Sequence, residues 1–89
     1  MATDWRQMPS LTSLRAFAAT AELRSFSQAA RALNVTTAAV AQQVRGLEDH
    51  LGQALVQRDG RGMSLTAEGA QLAVAVGEGF AAFGRGADA

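Results

Sequence analysis

The shortest break in the helical pattern of this chain does most to limit its fold. Only Asn34 and Val35 separate one helical pattern from the next, since Thr36 is already a good N-cap. The earlier of the two helices begins at Ser25, whose hydroxyl can accept a hydrogen bond from the amide of Gln28 in a capping box. Two helices joined by so short a segment must turn sharply against each other. The sequence therefore predicts a helix, a tight turn and a second helix.

Apolar spacing predicts that the first and third helices share one small core. The first helix follows a start signal at Pro9 and Ser10, and its core-facing residues are Leu11, Leu14, Phe17, Ala18 and Ala21. The buried stripe of the third helix comprises Val40, Val44, Leu47 and Leu51. The chain has 89 residues, which is enough for one thin core of this kind.

The C-terminal third of the chain predicts a strand pair and a final helix. Strand candidates at residues 54–58 and 63–65 surround a loop at residues 59–62, whose glycines suit a hairpin. Thr66 then caps a helix with one apolar stripe, formed by Leu72, Val76, Phe80 and Phe83. Glycines at 69, 77, 79, 84 and 86 weaken this helix by about 1 kcal/mol each relative to Ala. We expect it to pair with a second copy through a coiled-coil-like seam, or else to pack back onto the first helix.

Together these elements predict a mainly α fold. It has three helices and a two-stranded hairpin, followed by a long fourth helix. The expected boundaries are a flexible tail at residues 1–8, the three helices and the hairpin at 9–65 and the final helix, truncated or frayed at its end, at 66–89.

Composition argues against several classes of function. The chain has no cysteine and a single histidine, His50, so we expect no disulfide, no metal site and no cofactor. It has no paired carboxylates, nucleophile elbow or phosphate-binding glycine motif, so we do not expect an enzyme. No signal pattern and no long apolar run are present, which predicts a cytoplasmic protein that does not enter the membrane.

The charges are unevenly distributed although they sum to zero. Eight arginines balance eight acids, yet residues 25–46 contain Arg31 and Arg45 and no acid. A neutral chain lacks the strong basicity typical of nucleic-acid-binding proteins. The acid-free stretch, in contrast, favours contact with an anionic partner.

The outward face of the third helix has the residue types that a DNA major groove accepts. Thr37, Ala38 and Ala41 are small, and their methyl groups can meet a thymine methyl, while Gln42 can read adenine through two hydrogen bonds. The other interpretation is that an alanine-rich exposed face is simply a good helix former.

Four arginines are candidates for contact with the DNA backbone. Arg58 and Arg61 lie at the predicted hairpin, where a cation can reach phosphates or a narrow minor groove. Arg31 and Arg45 can do the same from the helices. The other interpretation is that these side chains are only solvated.

At this level of detail the chain resembles the N-terminal domain of LysR-type transcriptional regulators. The resemblance covers residues 9 to 80, and its motifs are Leu-Arg-Ala-Phe at 14–17, Ser-Phe-Ser-Gln-Ala-Ala at 25–30, Asn-Val-Thr at 34–36, residues 39–45, Leu-Glu at 47–48, Leu-Gly at 51–52 and Leu-Thr-Ala-Glu-Gly at 65–69. The Pro-Ser-Leu opening at 9–11 and Arg61-Gly62 are most similar to the subgroup that includes the glycine-cleavage activator.

The resemblance implies a winged helix-turn-helix of three helices and a two-stranded wing, followed by a linker or dimerisation helix. It also implies a homodimer that binds double-stranded DNA and regulates transcription in a bacterium. Two chains would pair antiparallel through the linker helix and present two recognition helices to a dyad-symmetric site. The family's base-reading face falls on Thr37, Ala38, Ala41 and Gln42, and its wing contact on Arg61, with Arg58 nearby. Its phosphate contacts fall on Ser27, Arg31, Thr36 and Gln43.

Several departures from the family pattern qualify this interpretation. Thr37 stands where the family most often has glutamine, Ala41 where it has serine, and Val56 where it has phenylalanine. These changes could mean an unusual site, weaker affinity or a decayed gene. The family continues into a two-lobed effector-binding domain, so we expect no small-molecule effector site in this chain, which is a fragment or a natural truncation. An alternative function is a protein-interaction module that pairs with full-length relatives and titrates them.

Overall fold

The computed structural model describes residues 3–88 and has the predicted fold class. Its elements are α1 (Leu11–Leu23), α2 (Phe26–Leu33), α3 (Thr37–Leu51), β1 (Val56–Asp59), β2 (Gly62–Leu65) and α4 (Ala67–Asp88). Three helices and a two-stranded antiparallel wing form a winged helix-turn-helix, and a long fourth helix follows. Residues 1, 2 and 89, at the ends of the predicted tail and final helix, lie outside the described residues.

Hydroxyl side chains fix where the helices begin, as the sequence predicts. The N-cap oxygens lie 3.0–3.1 Å from the amide nitrogens they accept from, in the pairs Ser10 and Ser13, Ser25 and Gln28, Thr36 and Ala39, and Thr66 and Gly69. The predicted turn after α2 is confirmed, because Asn34 adopts the left-handed conformation at φ 58° and donates its amide to α2 carbonyls.

The core lies where α1, α2 and α3 meet the base of the wing. Phe17, Leu47 and Leu55 are its largest fully buried side chains. Alanines on α1 and α2, namely Ala16, Ala21, Ala29 and Ala30, are buried with them and let the helices approach closely.

Two residues predicted to be buried are exposed instead. Val40, Val44 and Leu47 are each 1% exposed, so most of the predicted α3 stripe is confirmed, but Leu51 is 37% exposed. Leu11, at the start of α1, is 57% exposed. Both residues lie at a helix end, beyond the core, and border the same open cleft beside α4.

The wing is shifted slightly from its predicted limits. β1 begins at Val56 rather than at residue 54, because the Glu48 carboxylate accepts the amides of Leu55 and Val56 at 2.8 and 3.3 Å. Asp59 pairs with Gly62, so the connecting loop contains only Gly60 and Arg61. Gly60 has φ 60°, the positive value that the first loop position of a type II′ hairpin requires.

One glycine in α4 has a packing role that the sequence did not reveal. A Cβ on Gly69 would lie 2.0 Å from the carbonyl oxygen of Leu55, whereas one on Gly77 would meet nothing within 4 Å. The absence of a side chain therefore lets α4 begin directly against the base of the wing. Further along α4, Leu72 contacts the core, as the packing-back alternative expects, but Phe83 is 63% exposed.

Candidate nucleic-acid interface

The four base-reading candidates occupy the first turns of α3. Thr37, Ala38 and Gln42 are exposed, and Ala41 is half-buried. Ala38 and Gln42 are four residues apart and therefore share one face of the helix. The opposite side of α3 is held in the core by Val40 and Val44, each 1% exposed, so the exposed side cannot rotate inward.

An open groove of about 930 Å³ separates the starts of α2 and α3 from the wing. We call it the wing groove, and it is lined by residues 24–27, by Thr37 and by residues 56–63 except Asp59. Three of the lining residues are arginines, Arg24, Arg58 and Arg61, and none of the described residues that line it is Asp or Glu. The groove is therefore suited to an anion.

The wing groove brings together some of the backbone-contact candidates and leaves others apart. Ser27 lines the groove with Thr37, Arg58 and Arg61. Arg31 is exposed one turn after Ser27 on α2, and Arg45 is exposed two turns after Ala38 on α3. The Thr36 hydroxyl already caps α3, and Gln43 is half-buried on the flank of α3 away from Thr37.

Arg24 is a groove residue that sequence reasoning missed. It ends α1 in the left-handed conformation, with φ 55° and ψ 35°, and its amide donates to the carbonyl of Thr20. Such a conformation is uncommon for a residue other than Gly, Asn or Asp, so sequence gives no direct signal for it. Its position immediately before the Ser25 N-cap is a usable signal, because it places Arg24 beside the first turn of α2.

The orientation of the wing relative to α3 is fixed at its base. The two amides that donate to the Glu48 carboxylate tie the start of β1 to the last turn of α3. Across the hairpin, Val56 pairs with Leu65, and both pack against the core although valine is small for an anchor. Arg58 and Arg61 therefore project from a wing that is attached to α3 itself.

The four predicted dimerisation residues all border one apolar cleft of about 330 Å³. Leu72, Val76, Phe80 and Phe83 line one side of it along α4, and the Phe80 and Phe83 ring centroids lie 6.3 Å apart. The other side is formed by Met8, Pro9, Leu11, Leu14 and Leu51. The cleft explains why Leu11 and Leu51 are exposed although the sequence predicts that they are buried.

Comparison with known proteins identifies the family. The model of the bacterial regulatory helix-turn-helix proteins of the lysR family matches residues 11–70. This chain belongs to the LysR family. The LysR-type domain is thus a DNA-binding domain of transcriptional regulators, as its sequence motifs predict.

Two curated relatives of this LysR-type domain are transcriptional activators. It is 58% identical over 85 residues to the AhcY transcriptional activator HvrB of Rhodobacter capsulatus, covering 96% of this chain and 29% of HvrB. It is 47% identical over 64 residues to the glycine cleavage system transcriptional activator of Escherichia coli, covering 72% of this chain and 21% of that protein. The chain therefore spans less than a third of the length of these curated relatives.

A solved structure with DNA has the same fold. The BenM DNA-binding domain in complex with benA site 1 DNA superposes with a TM-score of 0.81 at 28% identity, covering 89% of each chain. Within residues 3–88, no group of three metal-binding side chains lies together, and no helix has the length and hydropathy to cross a membrane.

Proposed function

We propose that this LysR-type domain binds double-stranded DNA with sequence preference, as a homodimer on a dyad-symmetric site, and thereby regulates transcription in the bacterial cytoplasm. The observation that carries the proposal is the exposed start of α3 beside the arginine-lined wing groove. The fold shared with the BenM domain, which was solved on DNA, supports the same arrangement.

In this proposal the exposed face of α3 contacts the base edges. A helix can enter the major groove only where its outward side chains are small enough to allow close approach. Thr37, Ala38 and Ala41 meet this condition, and their methyl groups offer contacts to thymine. Gln42 is the one member of this face with an amide, which can bond to N6 and N7 of adenine.

The residues that contact the DNA backbone lie around that face. Arg58 and Arg61 reach the phosphates, or a narrow minor groove, from the wing side. The Ser27 hydroxyl and the amides of the first turn of α2 offer hydrogen bonds to a phosphate on the same side, where the helix dipole is favourable. Further contacts come from Arg31, Thr36, Gln43 and Arg45.

In this proposal the two chains of the dimer pair through the apolar cleft beside α4. Phe83 and Leu11 are more than half exposed, and large exposed apolar patches mark interaction surfaces. Antiparallel pairing of two α4 helices would cover Leu72, Val76, Phe80 and Phe83 of both chains. A two-fold axis between the helices then requires a DNA site with the same symmetry.

Selection from a pool of randomised duplexes tests this function. The parent protein should enrich one sequence with two-fold symmetry, and sedimentation should give two chains per selected duplex. Gln42→Ala should lose the preference at one or two positions in each half-site, while Gln53→Ala, the same change in the exposed turn after α3, should retain it. A parent protein that enriches no sequence would refute the proposal.

A second candidate function is pairing with full-length relatives through α4, which would titrate them without strong DNA binding. The apolar cleft and the net charge of zero favour this candidate. It predicts that the chain, mixed with a full-length relative, forms mixed dimers that bind the relative's site less tightly than its homodimers. Phe80→Glu should abolish both the mixed dimers and the loss of binding.

A further inference from the structure

We propose that the guanidinium of Arg24 binds the DNA phosphate backbone as an additional anchor, from the wall of the wing groove. This inference rests on the proposed DNA binding, because it adds a residue to the same interface. It concerns a residue that lies at the end of α1, outside the helix-turn-helix and the wing.

The position of Arg24 places it next to the anchors already assigned. It borders the wing groove together with Ser27 of α2 and with Arg58 and Arg61 of the wing. A phosphate bound by these wing arginines and by the start of α2 would therefore lie within the same concave surface as Arg24. Asp59, the nearest acid along the wing, does not line the groove. The lining side chains thus offer three positive charges to one stretch of the DNA backbone.

The local backbone indicates that the side chain of Arg24 is not needed for capping. The bond that closes α1 runs from the amide of Arg24 to the carbonyl of Thr20, at 2.8 Å, and any residue other than proline supplies such an amide. At φ 55° a glycine would adopt the conformation at lower cost than an arginine. The guanidinium is therefore available for a role outside the cap.

A purely structural role for the guanidinium is the competing explanation. A cation near the end of α1 is favourable to the helix dipole, and Arg24 also borders a second cleft, between α1 and α4, together with Glu22. In that case the arginine stabilises the fold and does not touch DNA. The two explanations differ in what removal of the charge does to the salt dependence of DNA binding.

The test compares Arg24→Gln and Arg24→Gly with Arg15→Gln, a matched loss of charge on the exposed side of α1 away from the wing groove. Fluorescence anisotropy would give the affinity of each protein for the selected duplex and for a scrambled duplex of equal length, between about 50 and 200 mM salt. Thermal melting of each variant would be recorded in the same buffers.

We expect both Arg24 variants to lower the slope of log affinity against log salt by about 0.9 per bound chain. They should weaken binding to both duplexes alike, by about tenfold for each phosphate interaction that the substitution abolishes. Arg15→Gln should leave slope and affinity unchanged. Arg24→Gly should melt no lower than the parent, since glycine relieves the left-handed conformation. A stable variant that binds DNA less well distinguishes DNA binding by Arg24 from a role in folding.

Three results would overturn the inference and leave the proposed DNA binding intact. If Arg24→Gln melts lower but keeps the parental slope, the arginine serves α1 or Glu22. If it weakens only the selected duplex, the arginine binds a base and not a phosphate. If Arg58→Ala lowers the slope while neither Arg24 variant does, the proposed DNA binding stands and Arg24 alone is wrongly assigned. A parent that binds neither duplex would refute the proposed function together with this inference.

Discussion

Substitution of Gly69 by alanine tests how closely α4 is joined to the wing. The new Cβ would lie 2.0 Å from the carbonyl oxygen of Leu55 and 2.9 Å from its carbonyl carbon. Both atoms belong to the backbone, so relief requires that α4 or the base of the wing moves by about an ångström. Overpacking of this kind costs about 1 to 3 kcal/mol, which at its upper end clearly exceeds the roughly 1 kcal/mol that alanine gains in helix propensity.

Gly77→Ala is the matched control, because it lies in the same helix and its Cβ would meet nothing within 4 Å. It should stabilise the protein by up to about 1 kcal/mol through helix propensity alone. In a domain of this size each kcal/mol moves the melting temperature by roughly 4 to 8 °C. Calorimetry at one protein concentration should therefore show that the two substitutions shift the melting temperature in opposite directions from that of the parent. If Gly69→Ala melts higher than the parent, the close approach of α4 to Leu55 is wrong.

Three further changes probe the core, the wing attachment and the α4 seam. Leu47→Ala should cost about 2 to 5 kcal/mol in urea unfolding, because the side chain is 1% exposed; a cost below about 1 kcal/mol would contradict its burial. Glu48→Ala should cost about 1 to 3 kcal/mol and speed amide exchange at Leu55 and Val56, which lose their acceptor; unchanged exchange there would count against the carboxylate. Phe80→Glu should convert a dimer to a monomer in sedimentation, and an already monomeric parent would contradict the seam.

The elements that the sequence predicts well are those with local signals. Ser25, Thr36 and Thr66 cap helices because a hydroxyl needs only the amide three residues ahead, and Asn34 turns the chain without help from elsewhere. The 3.6-residue period likewise predicts that Val40 and Val44 lie in the core. The glycines of the loop at residues 59–62 predict the hairpin. Family resemblance identifies this hairpin as a wing and adds the expected function, which periodicity alone leaves open.

The misassignments arise where distant parts of the chain meet. β1 starts later than predicted because Glu48, eight residues before Val56, accepts the amides of Leu55 and Val56, where the strand begins. Leu51 continues the apolar stripe of α3 but extends past the core into the cleft beside α4. Gly69 appears in the sequence as a helix-weakening residue, and only the fold reveals the carbonyl of Leu55 against it. Arg24 is near Arg58 only after the wing folds back.

The most direct test of the central claim, that α3 reads bases while the wing anchors the backbone, is a titration against the randomised duplex pool at two salt concentrations. Gln42→Ala should relax the preference by about 1 to 3 kcal/mol at its own position and leave the salt slope nearly unchanged. Arg58→Ala should weaken all sequences alike and lower the slope by about 1 for each phosphate interaction abolished, or about 2 for a dimer. If Gln42→Ala instead lowers affinity uniformly and keeps the parental preference, base reading by this face of α3 is contradicted, because the recognition face would then lie elsewhere on the molecule.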